Sequence, residues 1–264
     1  MRTTLLPTIA CSSVLLVLLL LLTSSSLNLV DSFYATISTT NAISITQRLD
    51  TCSLNSYYSD DDNARSVFGR RQYWDDVYSG MGDFPKDEYS WYYGWDDTLK
   101  SHFTKAVPSR DASILCPGIG NDPILLDLWR SGYHQLTAFD HSKHAVERQH
   151  DLLSSESSWA APALENVCIL HRDARNLDHE WTDSFNAILE KGALDAIYLS
   201  GDGNIEQAVA ELQRVLRPGG ILVSVSGVVP EELRRRLFAK WKWIRDGSDD
   251  LKAGCFILEN AQVY

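Results

Sequence analysis

Positive charge is in short supply in this chain: 24 Lys and Arg stand against 35 Asp and Glu, a formal net charge of −11. A protein that grips nucleic acid or an anionic membrane by long-range attraction needs a basic surface, so those two classes are excluded. Cysteine is scarce too. The five, Cys11, Cys52, Cys116, Cys168 and Cys255, show no C-x-x-C pairing, which leaves neither a zinc site nor a disulfide framework in the spacing. Three of them, Cys116, Cys168 and Cys255, fall in apolar runs that read as strands, where a buried free thiol is expected. The apolar run Val14–Leu22 is nine residues long, short of the about 20 that span a bilayer. No internal repeat appears. What remains, 264 residues of which 44% are hydrophobic, suffices for one ordinary domain and a tail and excludes disorder of the whole.

The shortages are unevenly distributed. No glycine precedes Gly69 and no tryptophan precedes Trp74, and residues 1–59 carry only Asp31, Asp50, Arg2 and Arg48 as charges. The whole net charge therefore falls on residues 60–264. A basic start at Arg2, the run Val14–Leu22 and the polar exit Thr23 to Ser26 form the pattern of a secretory signal sequence, expected over residues 1–34. A retained signal anchor, holding the chain to a membrane through residues 5–22, is the alternative. Residues 35–69 form a Ser/Thr-rich segment, with no acid between Asp31 and Asp50, which suits a transit-like second address or a flexible polar linker. A secretory step followed by a plastid step resembles the bipartite targeting of algae with complex plastids. Asp60, Asp61 and Asp62 mark the boundary as a solvated charge run.

From Ala112 onward short apolar runs alternate with helical stretches, the signature of a parallel sheet flanked by helices. The runs predict strands at Ser113–Cys116, Gln135–Phe139, Val167–His171, Ala187–Leu189, Ile221–Val225, about Trp241–Arg245 and Cys255–Leu258. Helices are expected near Pro123–Ser131, Lys143–Leu153, Ile205–Leu216 and Glu231–Ala239. This is an α/β, doubly wound, mostly parallel seven-stranded sheet of Rossmann-like character, a single domain behind a targeting segment.

The first strand ends in Cys116-Pro117-Gly118-Ile119-Gly120-Asn121-Asp122, where glycines let backbone approach a ligand closely. Pro123 stands where a dinucleotide fingerprint would want a third glycine, which weakens an NAD oxidoreductase reading. Asp140 closes the second strand, placed to accept both hydroxyls of a ribose, and Asp173 closes the third, able to meet an adenine edge. Either could instead cap a helix.

Pro117-Gly118-Ile119-Gly120-Asn121-Asp122, Phe139-Asp140 and Leu189-Glu190-Lys191-Gly192-Ala193-Leu194-Asp195-Ala196 together resemble a family, the class I S-adenosylmethionine-dependent methyltransferases. Within it they are similar to the lysine methyltransferases of elongation factor 1A, whose pattern runs L-G-C-G-N-S, then V-D, then L-E-K-G-T-L-D-A. Tyr73-Trp74-Asp75-Asp76-Val77-Tyr78 and Tyr89-Ser90-Trp91-Tyr92 extend the likeness over about residues 70–264. The resemblance implies S-adenosylmethionine as cofactor. It implies that Trp74, Tyr78 and Trp91 enclose it, that Gly118, Gly120 and Asn121 form the turn it approaches, and that Asp140 with His141 holds its ribose. Asp173 with Ala174 would meet the adenine, and Lys191 would lie by the methionine end. Two departures stand out: Cys116 and Pro117 occupy the neighbourhood of the usual acid at the end of the first strand, and the path from Asp195 to the next helix is short.

The stretch Tyr73 to Asp97 holds nine aromatics and seven acids against Lys86 alone. Aromatic faces and carboxylates both attract cations, and a sulfonium and a lysine ammonium are both cations. The same aromatics also suit a lid packed on the sheet. Glu190 is the candidate catalytic carboxylate facing the substrate, or else the cap of the turn before Gly192. Arg234, Arg235 and Arg236 read as a solvated helix face, Met81 as loop packing, and the histidines show no ligand spacing. The function expected is methyl transfer to a lysine of a protein, in the resembled family a translation factor, by a monomer without nucleic-acid partners. Small-molecule methylation and a membrane-anchored binding module that has lost catalysis are the alternatives.

Overall fold

Period-two alternation in the strands decides the architecture, because successive residues of a strand face opposite sides of its sheet. Ile114 and Cys116, Leu136 and Ala138, Ala187 and Leu189, Val223 and Val225, and Cys255 and Ile257 bury one core. Leu115, Phe139, Ile188, Leu222, Phe256 and Leu258 bury a second on the opposite face. A sheet apolar on both faces must be covered on both, which is what doubly wound means physically.

The structure is a computed structural model and describes residues 66–82, 89–155, 166–201, 203–248, 250 and 253–261. The expected export address over residues 1–34, nearly all of 35–69, and residues 83–88 of the aromatic stretch lie outside the described residues. In chain order the elements are α1 (Arg71–Ser79), a π-turn (Trp95–Leu99) running into α2 (Lys100–Ala106), β1 (Ser113–Pro117), α3 (Ile124–Arg130), β2 (Gln135–Asp140) and α4 (Lys143–Ser155). There follow β3 (Val167–His171), β4 (Phe185–Lys191), α5 (Ala193–Leu199), α6 (Asn204–Val215), β5 (Leu216–Ser226), α7 (Glu231–Leu237), β6 (Lys242–Arg245) and β7 (Gly254–Glu259). Strand order is β3-β2-β1-β4-β5-β7-β6. β7 pairs antiparallel with β5 and β6, and the other neighbours pair parallel.

Phe103, Leu125, Leu128 and Leu153 from α2, α3 and α4 cover the first face. Leu194 of α5 and the α6 stripe Ile205, Ala208, Val209, Leu212 and Val215 cover the second, the stripe at helical spacing. Order reverses between β1 and β4, and in open α/β sheets the crevice outside the carboxyl ends at such a switch point is where ligands bind.

Three sequence expectations change here. Cys168 is exposed, unlike Cys116 and Cys255, because β3 is an edge strand. Met81 packs nothing and is 76% exposed beyond the left-handed Gly80 cap of α1. Arg234 is no solvated face: it is buried, its guanidinium lies 3.8 Å over the Phe256 ring, and it donates to the Val229 carbonyl at 2.7 Å. Among the described residues no helix is long and apolar enough to cross a membrane, and no cluster of His, Cys, Asp and Glu could hold a metal ion.

Candidate active site

The turn after β1 is built to expose backbone. Gly118 and Gly120 sit at φ +58° and +54°, left-handed values that cost a residue with a Cβ. A Cβ on Gly118 would stand 2.5 Å from the Cβ of Ala193, and one on Gly120 would stand 2.5 Å from the Tyr78 hydroxyl. The turn is pinned from three sides. Ile119 N–H donates to Phe139 O at 3.1 Å, Gly120 N–H to Asp140 Oδ2 at 2.9 Å, and Gln149 Nε2 to the carbonyls of Gly120 and Asp122 at 2.9 and 2.8 Å.

Tyr78, Trp91, Gly118, Gly120, Asn121 and Lys191 line one crevice with Pro117, Ile119, Asp122, Ile124 and Leu189. Trp74 stands a layer behind, stacked on Tyr78 with ring centroids 6.0 Å apart and edge-on to Trp91 at 5.6 Å. Its indole N–H donates to Phe68 O at 2.7 Å. The Tyr78 phenol is held well above its usual range by burial, and by the charges of Asp140 and Asp122 beyond that. Of the acids in the aromatic stretch, Asp75, Asp76 and Asp96 are described with their side chains, and Asp96 is exposed at the surface, paired with Lys100.

Asp140 is buried. Each of its oxygens accepts one backbone N–H, Oδ2 from Gly120 at 2.9 Å and Oδ1 from Ser142 at 2.9 Å; Oδ1 is also engaged by His141, and Oδ2 keeps a lone pair for a hydroxyl. His141 Nδ1 lies 3.2 Å from Asp140. Burial works against protonating His141, but Asp140 beside it wins and raises its pKa. Its buried Nε2 has no partner among the described residues. Asp140, His141, Asp173 and Ala174 are not part of the lining of the crevice.

The carboxylate of Asp173 is not left for an adenine edge. Arg175 grips both of its oxygens at 2.8 to 3.3 Å, and Arg71 of α1 pairs with it as well. Burial would raise its pKa, yet the two guanidiniums hold it far below the usual carboxylate range. Only the backbone around Asp173 and the buried Ala174 remain for that role.

Of the two roles open to Glu190, the structure gives the cap and not the substrate-facing carboxylate. It is fully buried, Oε1 accepting the Leu194 N–H at 2.9 Å and Oε2 the Ser224 hydroxyl at 2.6 Å. It faces no substrate; it caps the first turn of α5. Burial pushes its pKa up to about 7 against the pull of Ser224, with Asp195 adding to the rise. The next residue, Lys191, turns into the crevice. Its ammonium donates to Tyr93 O at 2.7 Å and pairs with Asp122.

Asp195 and Tyr92 were not given roles by the sequence, and they tie α5 to the turn after β5. Asp195 accepts from the Tyr92 hydroxyl at 2.5 Å, Ser226 Oγ at 2.6 Å and the N–H groups of Gly227, Val228 and Val229 at 2.8, 3.2 and 3.1 Å. Tyr92 has φ +65°, a strained value for an aromatic residue, and its hydroxyl bond to Asp195 over-determines it. Asp122, Gln149 and Arg234 were also passed over. Only Gln149 carried a local signal, since it continues the Ala145, Leu152, Leu153 face of α4 at helical spacing.

A family model described as a methyltransferase domain matches residues 115–224. The chain is 31% identical over 183 residues to EEF1A lysine methyltransferase 2 of Danio rerio, covering 66% of this chain and 75% of that protein. The Homo sapiens protein of the same name is 28% identical over 176 residues, covering 61% of this chain and 69% of that one. In fold, a solved structure concerned with conversion of a disulfide bond into a thioacetal group during echinomycin biosynthesis superposes with TM-score 0.52 at 18% identity, covering 71% of this chain and 90% of that chain. The residues suit S-adenosylmethionine: backbone bare of Cβ at Gly118 and Gly120, an unpartnered buried nitrogen on His141, and a carboxylate lone pair on Asp140 Oδ2. Turn, strand order and relatives agree, and the chain belongs to the class I S-adenosylmethionine-dependent methyltransferases, of the elongation factor 1A lysine methyltransferase type.

Proposed function

We propose that this chain methylates a lysine amine of a protein acceptor, a translation elongation factor of the 1A kind or a close likeness of one. The observation that carries this reading is the 31% identity across three quarters of a protein named for that activity. Bound S-adenosylmethionine supplies a sulfonium methyl that is already activated, so the protein's part is positioning, exclusion of water and delivery of an uncharged amine. Gly118, Gly120 and Asn121 cradle the cofactor at the turn, and Asp140 with His141 holds its ribose. Tyr78 and Trp91, backed by Trp74, close the crevice to water. Tyr92, fixed by Asp195, forms the wall past which the acceptor amine enters. A lysine with a pKa near about 10.4 sheds its proton to solvent at the rim, and the aromatic walls then favour the neutral form.

Labelled methyl transfer to purified elongation factor 1A, read by peptide mass spectrometry, tests the reading. Label on a lysine of the factor is the expected result, and label only in a small-molecule fraction refutes it. Residues 1–34 we read as an export address, with 35–69 carrying the chain onward to a plastid. Sequencing the mature amino terminus checks this, and an intact Met1 refutes cleavage.

A further inference from the structure

We propose that α1 is a lid that must lift before the cofactor can enter, the Tyr78 ring lying across the cofactor's own place and the Arg71–Asp173 pair latching the helix shut. The inference rests on the cofactor and is independent of which protein is methylated.

The crevice at the β1 turn has a volume of about 30 Å³, room for about one or two water molecules. A ligand of the cofactor's size needs about 300 Å³ or more. What covers the turn instead is Tyr78. A Cβ on Gly120 would stand 2.5 Å from the phenol oxygen and 3.0 Å from the ring carbon that bears it, so the backbone left bare by this glycine is already occupied by the ring. The charges of Asp140 and Asp122 both bear on the hydroxyl, which therefore sits within reach of the end of β2 as well as of the turn. Trp74 is stacked on the ring and is itself bonded to Phe68 O. Tyr78 is thus fixed to its helix, and it leaves the crevice with α1 rather than by turning aside.

The helix is lightly held. Val77 is its one buried residue, and it ends at Gly80 in the left-handed conformation, φ +85°, a terminal position that can absorb a change of direction. Its first turn is linked to the end of β3 by Arg71 and Asp173, whose side chains are 55% and 33% exposed. Asp173 does not depend on Arg71 for its partners, because Arg175 grips both of its oxygens. An ion pair so exposed shifts an equilibrium by about twofold to fivefold, which is little for a fold and enough to bias a lid.

Stopped-flow binding of S-adenosylhomocysteine to the full chain, read by tryptophan fluorescence, tests this. The ligand carries no net charge at neutral pH, so salt acts on the protein alone. Where only the lifted state binds, association is slowed by the fraction of chains that are lifted. Arg71→Met should therefore speed association by about twofold to fivefold. Dissociation should be unchanged, because bound ligand keeps the ring raised and the latch open. Slower association, or affinity lost through faster dissociation, would overturn the proposal and make the pair a support of α1; unchanged association would overturn it too. Raising salt from about 50 to 500 mM should speed wild-type association by about twofold through screening of the pair, and leave Arg71→Met unmoved. Wild-type association that is flat or slowed overturns the latch, even should the variant not fold. Tyr78→Ala removes the ring itself and should speed association by more than Arg71→Met does, with faster release because the bound ligand loses its cover. Association no faster than wild type would overturn the plug. Absence of binding by all three chains would instead contradict the cofactor, and the lid with it.

Discussion

Replacing Asp195 with asparagine keeps shape and removes one charge, and the structure says what that must cost. Oδ1 receives Ser226, Val228 and Val229, and Oδ2 receives Tyr92 and Gly227. An asparagine has a single acceptor oxygen, so one side must become an NH2. Turned toward Oδ2 it loses least: the Tyr92 hydroxyl can rotate to accept, but the Gly227 N–H is stranded. Gly227 is exposed, so water takes up much of its N–H and its loss costs about 1 kcal/mol; with the charge assistance lost from the remaining bonds, a total of about 2 kcal/mol is expected. For a domain of this size that corresponds to a fall in Tm of about 4–8 °C by calorimetry. Tyr92→Phe should cost about 1 kcal/mol, and the double variant less than the sum, because both changes remove the same bond. In kinetics Asp195→Asn should raise KM for the protein acceptor while the affinity for S-adenosylmethionine holds. A Tm within about 1 °C of wild type, or a loss confined to cofactor affinity, refutes the reading of Asp195 as the anchor of Tyr92 and the turn after β5.

Glu190 makes stability depend on pH. Its folded pKa of about 7 lies above its ordinary 4.5, so its contribution is complete below pH 4.5 and is lost as pH rises to 7. That amounts to about 3 kcal/mol at most; Glu190→Gln should flatten the decline in urea midpoints over this window, and an unchanged slope contradicts it. Gly118→Ala drives a Cβ to 2.5 Å from the Ala193 Cβ at φ +58°, so cofactor affinity should drop by about tenfold or more, with partial rescue in Gly118→Ala/Ala193→Gly. A chain of net charge −11 working on a cationic acceptor should lose kcat/KM several-fold between about 50 and 500 mM salt, through KM, and a flat profile refutes steering. Asn260→Ala removes the amide that donates to Leu216 O at 2.8 Å at the opposite end of the sheet; it should lower Tm without touching cofactor affinity.

Much of the sheet could be read because its signal is local. Short apolar runs marked all seven strands, and the structure mainly lengthens β4 to Phe185–Lys191 and β5 to Leu216–Ser226. The polar residues among the additions, Glu190, Lys191 and Arg217, take their strand geometry from neighbours rather than from pattern, while apolar Phe185 and Leu216 pair with each other across the two strands. Helix α1 went unpredicted for a related reason. Val77 is its one buried residue, and rings of Trp74, Tyr78 and Trp91 hold it rather than an apolar stripe. Helix α5 is seven residues long, too short to show a period, and starts on the side chain of Glu190. The roles of Asp195 and Arg234, and the choice between the two readings of Glu190, were out of reach. A charged residue is taken as exposed unless partners are visible, and theirs arrive from β5 and its turn some 30 residues away in sequence or, for Arg234, from the turn and Phe256.

Those partners explain where the buried polar groups lie. Asn121, Asp122, Asp140, Ser142, Glu190, Asp195, Ser224 and Ser226 cluster at or just beyond the carboxyl ends of β1, β2, β4 and β5, and Gln149 and Arg234 reach in to bond them. Asn260 is the exception among the described residues, and it closes carbonyls at the far end. Burying a charge costs free energy even when it is paired, so chance and stability would each spread such groups thinly. Their concentration on one edge follows from the ligand instead. A zwitterionic, sulfonium-bearing cofactor and an amine acceptor both need polar walls that do not rearrange during reaction, and walls of that kind can only be held by further buried partners. The aliphatic cores on either face then carry the stability that this edge does not.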